Sequence, residues 1–375
     1  MTVSMLMKKI LFLIHDLGQG GAEKVLVNLV NNMDPEKFDI SVVALFGGGV
    51  NEQFLNPHIR YRTVFKKPFP GNSHVMKLFS PERLHKWFIK ERYDIEIAYL
   101  EGPDSRIISG CPNKDTKLVS WIHCTMKTAE ETALGFRSAA EAKECYNKMD
   151  TMVFVSETNR VAFLNACPYT GQTAVLYNTN ESDKILTLAD EDATLPGDGF
   201  RWCGIGKVVP VKGFDRMIRI QQRLVEDGYN THLCILGEGP LKPELEKLAA
   251  EYGVADSVTF LGYQTNPYKY VSKCDLFACA SHSEGFSTAA TEALIVGTPV
   301  CTVEVSGMKE MLGENNEWGI ITENNEEALY QGIKKLLDDP VLLAHYKEKA
   351  AERGRSFSTD STVKAVEVTL MELLG

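Results

Sequence analysis

Short apolar runs alternate with amphipathic stretches along most of the chain. Lys9 to Ile14 and Phe38 to Leu45 are continuous hydrophobic runs of strand length, and between them Ala22 to Asn32 repeats Val25, Leu26, Leu29 and Val30 at helical spacing. Further runs at Ile59 to Phe65, Ile95 to Leu100, Lys117 to Ile122, Met152 to Val155 and Val175 to Tyr177 predict strands. A second series follows at Phe200 to Ile205, His232 to Leu236, Ser257 to Leu261, Leu276 to Ala280 and Cys301 to Glu304. Apolar runs without alternation are those of strands buried on both faces, as in parallel sheets covered by helices. Ser80-Pro81 opens a helix over 82–93, and short helices are expected over 244–251 and 266–272. Two amphipathic helices, 326–338 and 341–353, precede a last one over 361–374.

The pattern breaks once. Residues 181–199 hold Glu181, Asp183, Asp190, Glu191, Asp192 and Asp198 with two glycines, and read as an acidic linker. A chain of 375 residues is long for one core and comfortable for two. The expected division is therefore an α/β domain over 1–180, a second over 181–357 that includes the linker, and a final helix, 358–375, free to pack elsewhere.

Composition changes this picture little. The net charge of −10 disfavours a general nucleic-acid binder. Residues 1–178 carry 21 basic and 19 acidic side chains (+2), against 19 and 31 (−12) in the remainder. The first half is thus the one able to approach an anionic surface. Its 82–93 helix mixes Arg83, Lys86, Lys90 and Arg92 with Leu84, Trp87, Phe88 and Ile89, and fits either a peripheral membrane contact or an ordinary helix packed on a sheet. Nine scattered cysteines, none in a C-x-x-C pair, fit a reducing cytoplasm and support no metal motif. Asp190-Glu191-Asp192 matches D-x-D only formally. Lys8-Lys9 before Ile10 to Ile14 mimics an export signal, but the apolar run stops at His15-Asp16.

Candidate chemistry gathers at strand exits. Between Ser281 and Val300 the chain reads SHSEGFSTAATEALIVGTPV, a strand, a loop and a helix stopped by Gly297 and Pro299. A helix N-terminus offers unpaired N–H groups to a phosphate, and Gly285 lets backbone approach a ligand. Glu284 and Glu292 flank that position as acceptors for sugar hydroxyls. Phosphate and sugar together point to a sugar nucleotide. Lys207 and Lys212 bracket GKVVPVKGFD ahead of another helix start and are suited to neutralising a diphosphate without a metal. Gly237 ends a strand in LGEGP, and Tyr263 follows another as a candidate to stack on a base. His123 closes the strand ending Trp121-Ile122. Gly18, Gly20 and Gly21 make a second glycine turn into a helix, yet Glu23 stands where a dinucleotide fingerprint needs its third glycine. The next strand also ends with no acid for a ribose, so a nicotinamide dehydrogenase is disfavoured.

GGAEKVLVNL, GKVVPVKGFD, LGEGP and EGFSTAATEALIVGTPV, in that order, resemble glycosyltransferase family 4, the retaining enzymes with a GT-B fold that use nucleotide sugars. The likeness runs over nearly the whole chain, and its most specific element is E-x7-E, Glu284 to Glu292. WIH at 121–123 and VSE at 155–157 resemble family positions too. The resemblance implies two Rossmann-like domains facing across a cleft, the second holding the donor and the first the acceptor. It implies that Glu292 holds the ribose and Glu284 the donor sugar. The amides of Gly285, Phe286 and Ser287 would face sugar and phosphate, Lys207 and Lys212 the leaving diphosphate. His123 would lie near the reacting carbon, and Gly20 and Gly21 would approach the diphosphate. No cofactor or metal is implied. Lys207 stands where the family usually has arginine, keeping the charge without the bidentate fork. The expected reaction moves a hexose from a nucleotide, uridine being the expected base, to a glycan or lipid-linked acceptor, in the cytoplasm or at the inner membrane face. Two rivals are a sugar-nucleotide epimerase of the same plan and a non-catalytic binding partner.

Overall fold

The computed structural model describes residues 7–375. These residues divide into two compact units, one of residues 7–179 with 360–375, the other of residues 180–359.

The first unit is a seven-stranded parallel sheet in the order β3-β2-β1-β4-β5-β6-β7. Its strands are β1 Lys8–Ile14, β2 Phe38–Phe46, β3 Arg60–Phe65, β4 Ile95–Ala98, β5 Lys117–Ile122, β6 Thr151–Phe154 and β7 Gln172–Val175. β1 and β2 align residue for residue from Lys8 opposite Phe38 to Ile14 opposite Ala44. The second unit is a six-stranded parallel sheet in the order β10-β9-β8-β11-β12-β13. Its strands are β8 Phe200–Ile205, β9 Thr231–Leu236, β10 Val258–Gly262, β11 Leu276–Cys279, β12 Val300–Val303 and β13 Ile320–Thr322. Each order starts in mid-sheet, runs to one edge, then returns to build the other side. That is the doubly wound, Rossmann-like plan, with its reversal between β1 and β4 in one sheet and between β8 and β11 in the other.

Burial explains the strands. Ile10 to Ile14 and Leu233 to Leu236 are buried throughout, as expected with helices on both faces. Each unit has its own core, around Leu13, Phe46, Tyr146 and Phe154 in the first and Trp202, Ile218, Ile235 and Leu276 in the second. All nine cysteines are free, and most are buried, packing as small hydrophobes.

Several elements differ from the sequence reading, beginning with β7, expected over 175–177 and found over 172–175. The acidic stretch is not all linker: Ser182–Ala189 is a helix of the second unit, with Ile185 and Ala189 buried. Asn266 donates to the Leu188 carbonyl and to Glu191, and Lys269 pairs with Glu191. The Asp190-Glu191-Asp192 run therefore serves as a helix end with a basic partner. The helix expected over 82–93 ends at Phe88, because Ile89 turns extended and is buried. Ser80 caps its start by accepting from the Arg83 amide. In VSE, Ser156 is likewise a cap, accepting from Asn159, and Glu157 pairs with Arg160 on the surface.

The last helix, Thr359–Leu374, belongs to the first unit from Asp360 onward. Its Glu367 accepts from the Asp34 amide at 2.7 Å and pairs with Lys37 at 3.6 Å. Among the described residues, no helix is long and apolar enough to cross a membrane.

Candidate functional site

In an open parallel sheet, ligands bind outside the carboxyl ends of the strands where the order reverses. In the second unit that position is served by the exits of β8 and β11. β8 leaves through Gly206 to Gly213. Gly237, leaving β9, packs so close that a Cβ there would stand 1.9 Å from the Gly206 carbonyl oxygen, so no side chain fits. Gly213 has φ +65° and caps the helix Phe214–Glu226, and a Cβ on it would meet the Ala280 carbonyl oxygen at 2.2 Å. That close approach draws the two exits together.

The result is an ion pair. Lys212 Nζ donates to Glu284 Oε1 at 2.6 Å, and Ser281 Oγ donates to the same oxygen at 2.6 Å. Both partners are largely shielded, their side chains 27% and 11% exposed. Lys212 is therefore engaged by a carboxylate, while Lys207 is exposed and pairs with no acid among the described residues. The two lysines differ in environment, where the sequence presents them as a matched pair.

Residues unmarked in the sequence reading fix the β11 exit. Arg216 donates to the Ala280 carbonyl (3.3 Å), to Asn324 Oδ1 (2.8 Å) and toward His282 Nδ1 (2.9 Å). Asn324 Nδ2 in turn donates to the carbonyl of His282. Ser281 is visible in the SHSEG stretch, but nothing local marks Arg216 or Asn324.

Next comes the helix Thr288–Ile295. Ser287 caps it, accepting from the Ala290 amide at 3.3 Å. Glu292 lies one turn in, buried, and accepts from the Tyr268 hydroxyl at 3.1 Å. The Phe286 side chain is buried against the Phe357 ring, which leaves its backbone as the part available to a ligand. Gly307, with φ +78°, presses against Phe286, so the exit of β12 closes on Gly285-Phe286. Tyr263 is 46% exposed at the exit of β10, the edge strand, two places from β8.

In the first unit Gly20 caps the helix Gly21–Asn32 without a side-chain bond. The Glu23 carboxylate folds over it, close enough that a Cβ on Gly20 would stand 1.9 Å from Oε2. This helix end is covered by an acid of the chain's own, a negative charge where the sequence leads one to expect a diphosphate.

His123 lies beyond β5, its amide donating to Glu101 Oε2 at 2.9 Å. Its ring sits 4.8 Å from Tyr99 and 6.3 Å from Trp121. Nε2 is buried without a partner, and burial lowers the imidazole to about 3, so the ring is neutral. The Tyr99 hydroxyl, Trp121 Nε1 and both Asp104 oxygens are also buried and unpartnered. Burial foremost, then Glu101 and Asp16, holds the Asp104 carboxyl well above the usual carboxylate range. Unmade hydrogen bonds in protein interiors are costly. Four side chains at the exits of β4 and β5 are thus left for a ligand or water to satisfy. Of these the sequence marked His123, and Trp121 as part of WIH, but neither Tyr99 nor Asp104.

The model for Glycosyltransferase Family 4 matches residues 19–179, and that for Glycosyl transferases group 1 matches residues 189–353. A Campylobacter jejuni protein named N-acetylgalactosamine-N,N'-diacetylbacillosaminyl-diphospho-undecaprenol 4-alpha-N-acetylgalactosaminyltransferase is 30% identical, over 98% of this chain and 100% of its own length. The lipopolysaccharide core biosynthesis glycosyltransferase LpsD of Rhizobium meliloti is 24% identical over 96% and 97%. Among solved structures, Anabaena HepE in complex with UDP matches with a TM-score of 0.74 at 18% identity, covering 97% of this chain and 100% of its own. A sucrose-phosphate synthase from Thermosynechococcus elongatus matches with a TM-score of 0.78 at 16% identity over 98% and 99%.

Proposed function

The chain belongs to glycosyltransferase family 4, a glycosyltransferase of GT-B fold, and on that premise we propose that it is a retaining, metal-independent hexosyltransferase. The donor is a UDP-sugar and the acceptor a hydroxyl of a glycan or lipid-linked glycan. The observation that carries this reading is the Lys212–Glu284 pair at the reversal of the second sheet, with buried Glu292 one turn into the helix that follows Glu284.

Glu284, oriented by Lys212 and Ser281, accepts from hydroxyls of the donor sugar. Glu292 accepts from the ribose. The amide end of the helix Thr288–Ile295, with Lys207 and Lys212, meets the negative charge that grows on the diphosphate as the bond from sugar carbon to phosphate oxygen breaks. The acceptor oxygen bonds to the same carbon from the same face, and its proton passes to the departing phosphate. His123, neutral and with a buried nitrogen to offer, contacts the donor sugar. Gly237 and Tyr263 complete the nucleotide side, and Gly20 and Gly21 join it only when the Glu23 carboxylate swings off their helix end.

UDP supports this choice of base through HepE, also solved with UDP-glucose. The Campylobacter relative, named for a diphospho-undecaprenol-linked substrate, favours a lipid-linked acceptor. Such an acceptor is compatible with an enzyme working peripherally at the inner face of a membrane.

The test is a panel of sugar nucleotides scored by thermal shift, then transfer assays on lipid-linked and free glycans with Mg2+ added or omitted. The expected result is a rise in melting temperature with one UDP-hexose, followed by a glycoside of unchanged anomeric configuration with or without the metal. An inverted product, or transfer only with the metal, overturns the mechanism. A sugar altered without an acceptor identifies an epimerase.

A further inference from the structure

We propose that His85, Glu96 and Cys111 form a structural zinc site in the first unit. They come from three elements, the helix Pro81–Phe88, strand β4 and the turn after the helix Pro103–Ile108. Gly110 brings that turn in: a Cβ there would stand 2.2 Å from the Pro81 carbonyl oxygen, so only glycine lets the turn press on the start of the 81–88 helix. The imidazole nitrogen, a carboxylate oxygen and the sulfur then lie within 4.8 Å of one another. His85 Nε2 is 2.7 Å from Glu96 Oε2. Tetrahedral zinc with bonds of ~2.0–2.3 Å needs ligands about 3.5 Å apart, so side-chain torsions suffice to open one contact and close the others.

Two observations point to a missing partner. Glu96 is fully buried in mid-sheet, and its Oε1 has no hydrogen-bond partner. A carboxylate so placed is costly unless its charge is met. A carboxylate, a thiolate and a neutral imidazole sum to two negative charges, which a divalent cation cancels. One sulfur, one nitrogen and one oxygen donor favour zinc over magnesium or calcium, which take oxygen sets. Cys111 is only half-buried, so an ion can reach the site from solvent.

The helix Pro103–Ile108 returns antiparallel to β4, and Thr116, five residues past Cys111, bonds the Tyr93 carbonyl just before β4. The triad therefore lies toward the amino ends of the strands, away from the exits that carry His123. Zinc here ties a helix and a turn to the sheet and takes no part in group transfer.

The full chain, reduced and freed of metal by a chelator, is dialysed against Zn2+ or Co2+. The expected result is about one Zn2+ per chain by elemental analysis, a rise in melting temperature, and a thiolate-to-cobalt absorption band. Cys111→Ser loses all three, with zinc affinity down at least about tenfold, and Cys124→Ser keeps them. His85→Gln serves as a second lesion should Cys111→Ser misfold. Stoichiometry and melting unchanged in Cys111→Ser, or no cobalt band in the wild type, overturns the site and leaves a plain buried His–Glu hydrogen bond.

Discussion

Lys212 carries its charge in a largely shielded setting with a carboxylate on it, and the transferase reading gives that charge a second task at the leaving diphosphate. Lys212→Ala should lower kcat by about 10²- to 10³-fold, the loss typical of one preorganised donor to developing negative charge. Steady-state kinetics with the preferred UDP-sugar check this, and unchanged turnover removes Lys212 from the mechanism. His123 allows a prediction independent of activity. Its imidazole titrates near 3 in the folded chain, against about 6.5 when unfolded. Below pH 6.5 the unfolded chain takes up a proton that the folded chain refuses. The neutral ring therefore costs the fold nothing above pH 6.5 and progressively more as pH falls toward 3, roughly 2 kcal/mol at pH 5. Asp104 acts in the opposite sense, holding its proton in the fold where the unfolded chain would release it. The residue-specific signal is thus a difference: urea denaturation should show a smaller loss between pH 7 and 5 in His123→Asn than in wild type.

At the scale of elements, Gly213 is the hinge on which the candidate site depends. Gly213→Ala adds strain at positive φ and a clash with the Ala280 carbonyl, and should cost about 1–3 kcal/mol in urea denaturation while displacing Lys212 and reducing turnover. Strands were the legible part of the chain because runs such as Ile10 to Ile14 are buried on both faces. β13, only three residues, is too short for any period to register. The helix Ser182–Ala189 was masked by acids around its two buried apolar positions. The site was legible where one loop carries its chemistry, as between Glu284 and Glu292. Arg216, Asn324, Tyr99 and Asp104 were not, since their partners or their isolation are set by tertiary neighbours. Glu23 was seen as a missing glycine but not as a carboxylate folded over Gly20.

At the scale of the whole molecule, the division into two units with separate cores predicts separable unfolding. A chain ended after Thr359 loses the Glu367 contacts of the first unit and keeps the Thr359 bonds to Asn180 and Ser182 in the second, so calorimetry should show one transition shifted down and the other unmoved. The charge division leads elsewhere. In the first unit Leu78 is 76% exposed and Trp87 44%, with the Phe79 and Trp87 rings 4.8 Å apart and Lys86, next to Trp87 in the chain, exposed as well. Lysine beside exposed aromatic and aliphatic side chains suits anionic lipid. Flotation with vesicles containing phosphatidylglycerol should carry the wild type up, and Leu78→Ser with Trp87→Ser should weaken that severalfold. Equal flotation of both proteins removes the patch from any membrane role.

The last helix returns to the first unit after the whole of the second has been laid down. A ribosome making this chain therefore releases residues 180–359 as one unbroken stretch, able to collapse on its own. The earlier-born half must wait, with the surface around Asp34 and Lys37 uncovered, until Glu367 leaves the exit tunnel. Order of synthesis and order of completion are reversed, and a chaperone that guards nascent chains would find its longest-lived client here in the part made first.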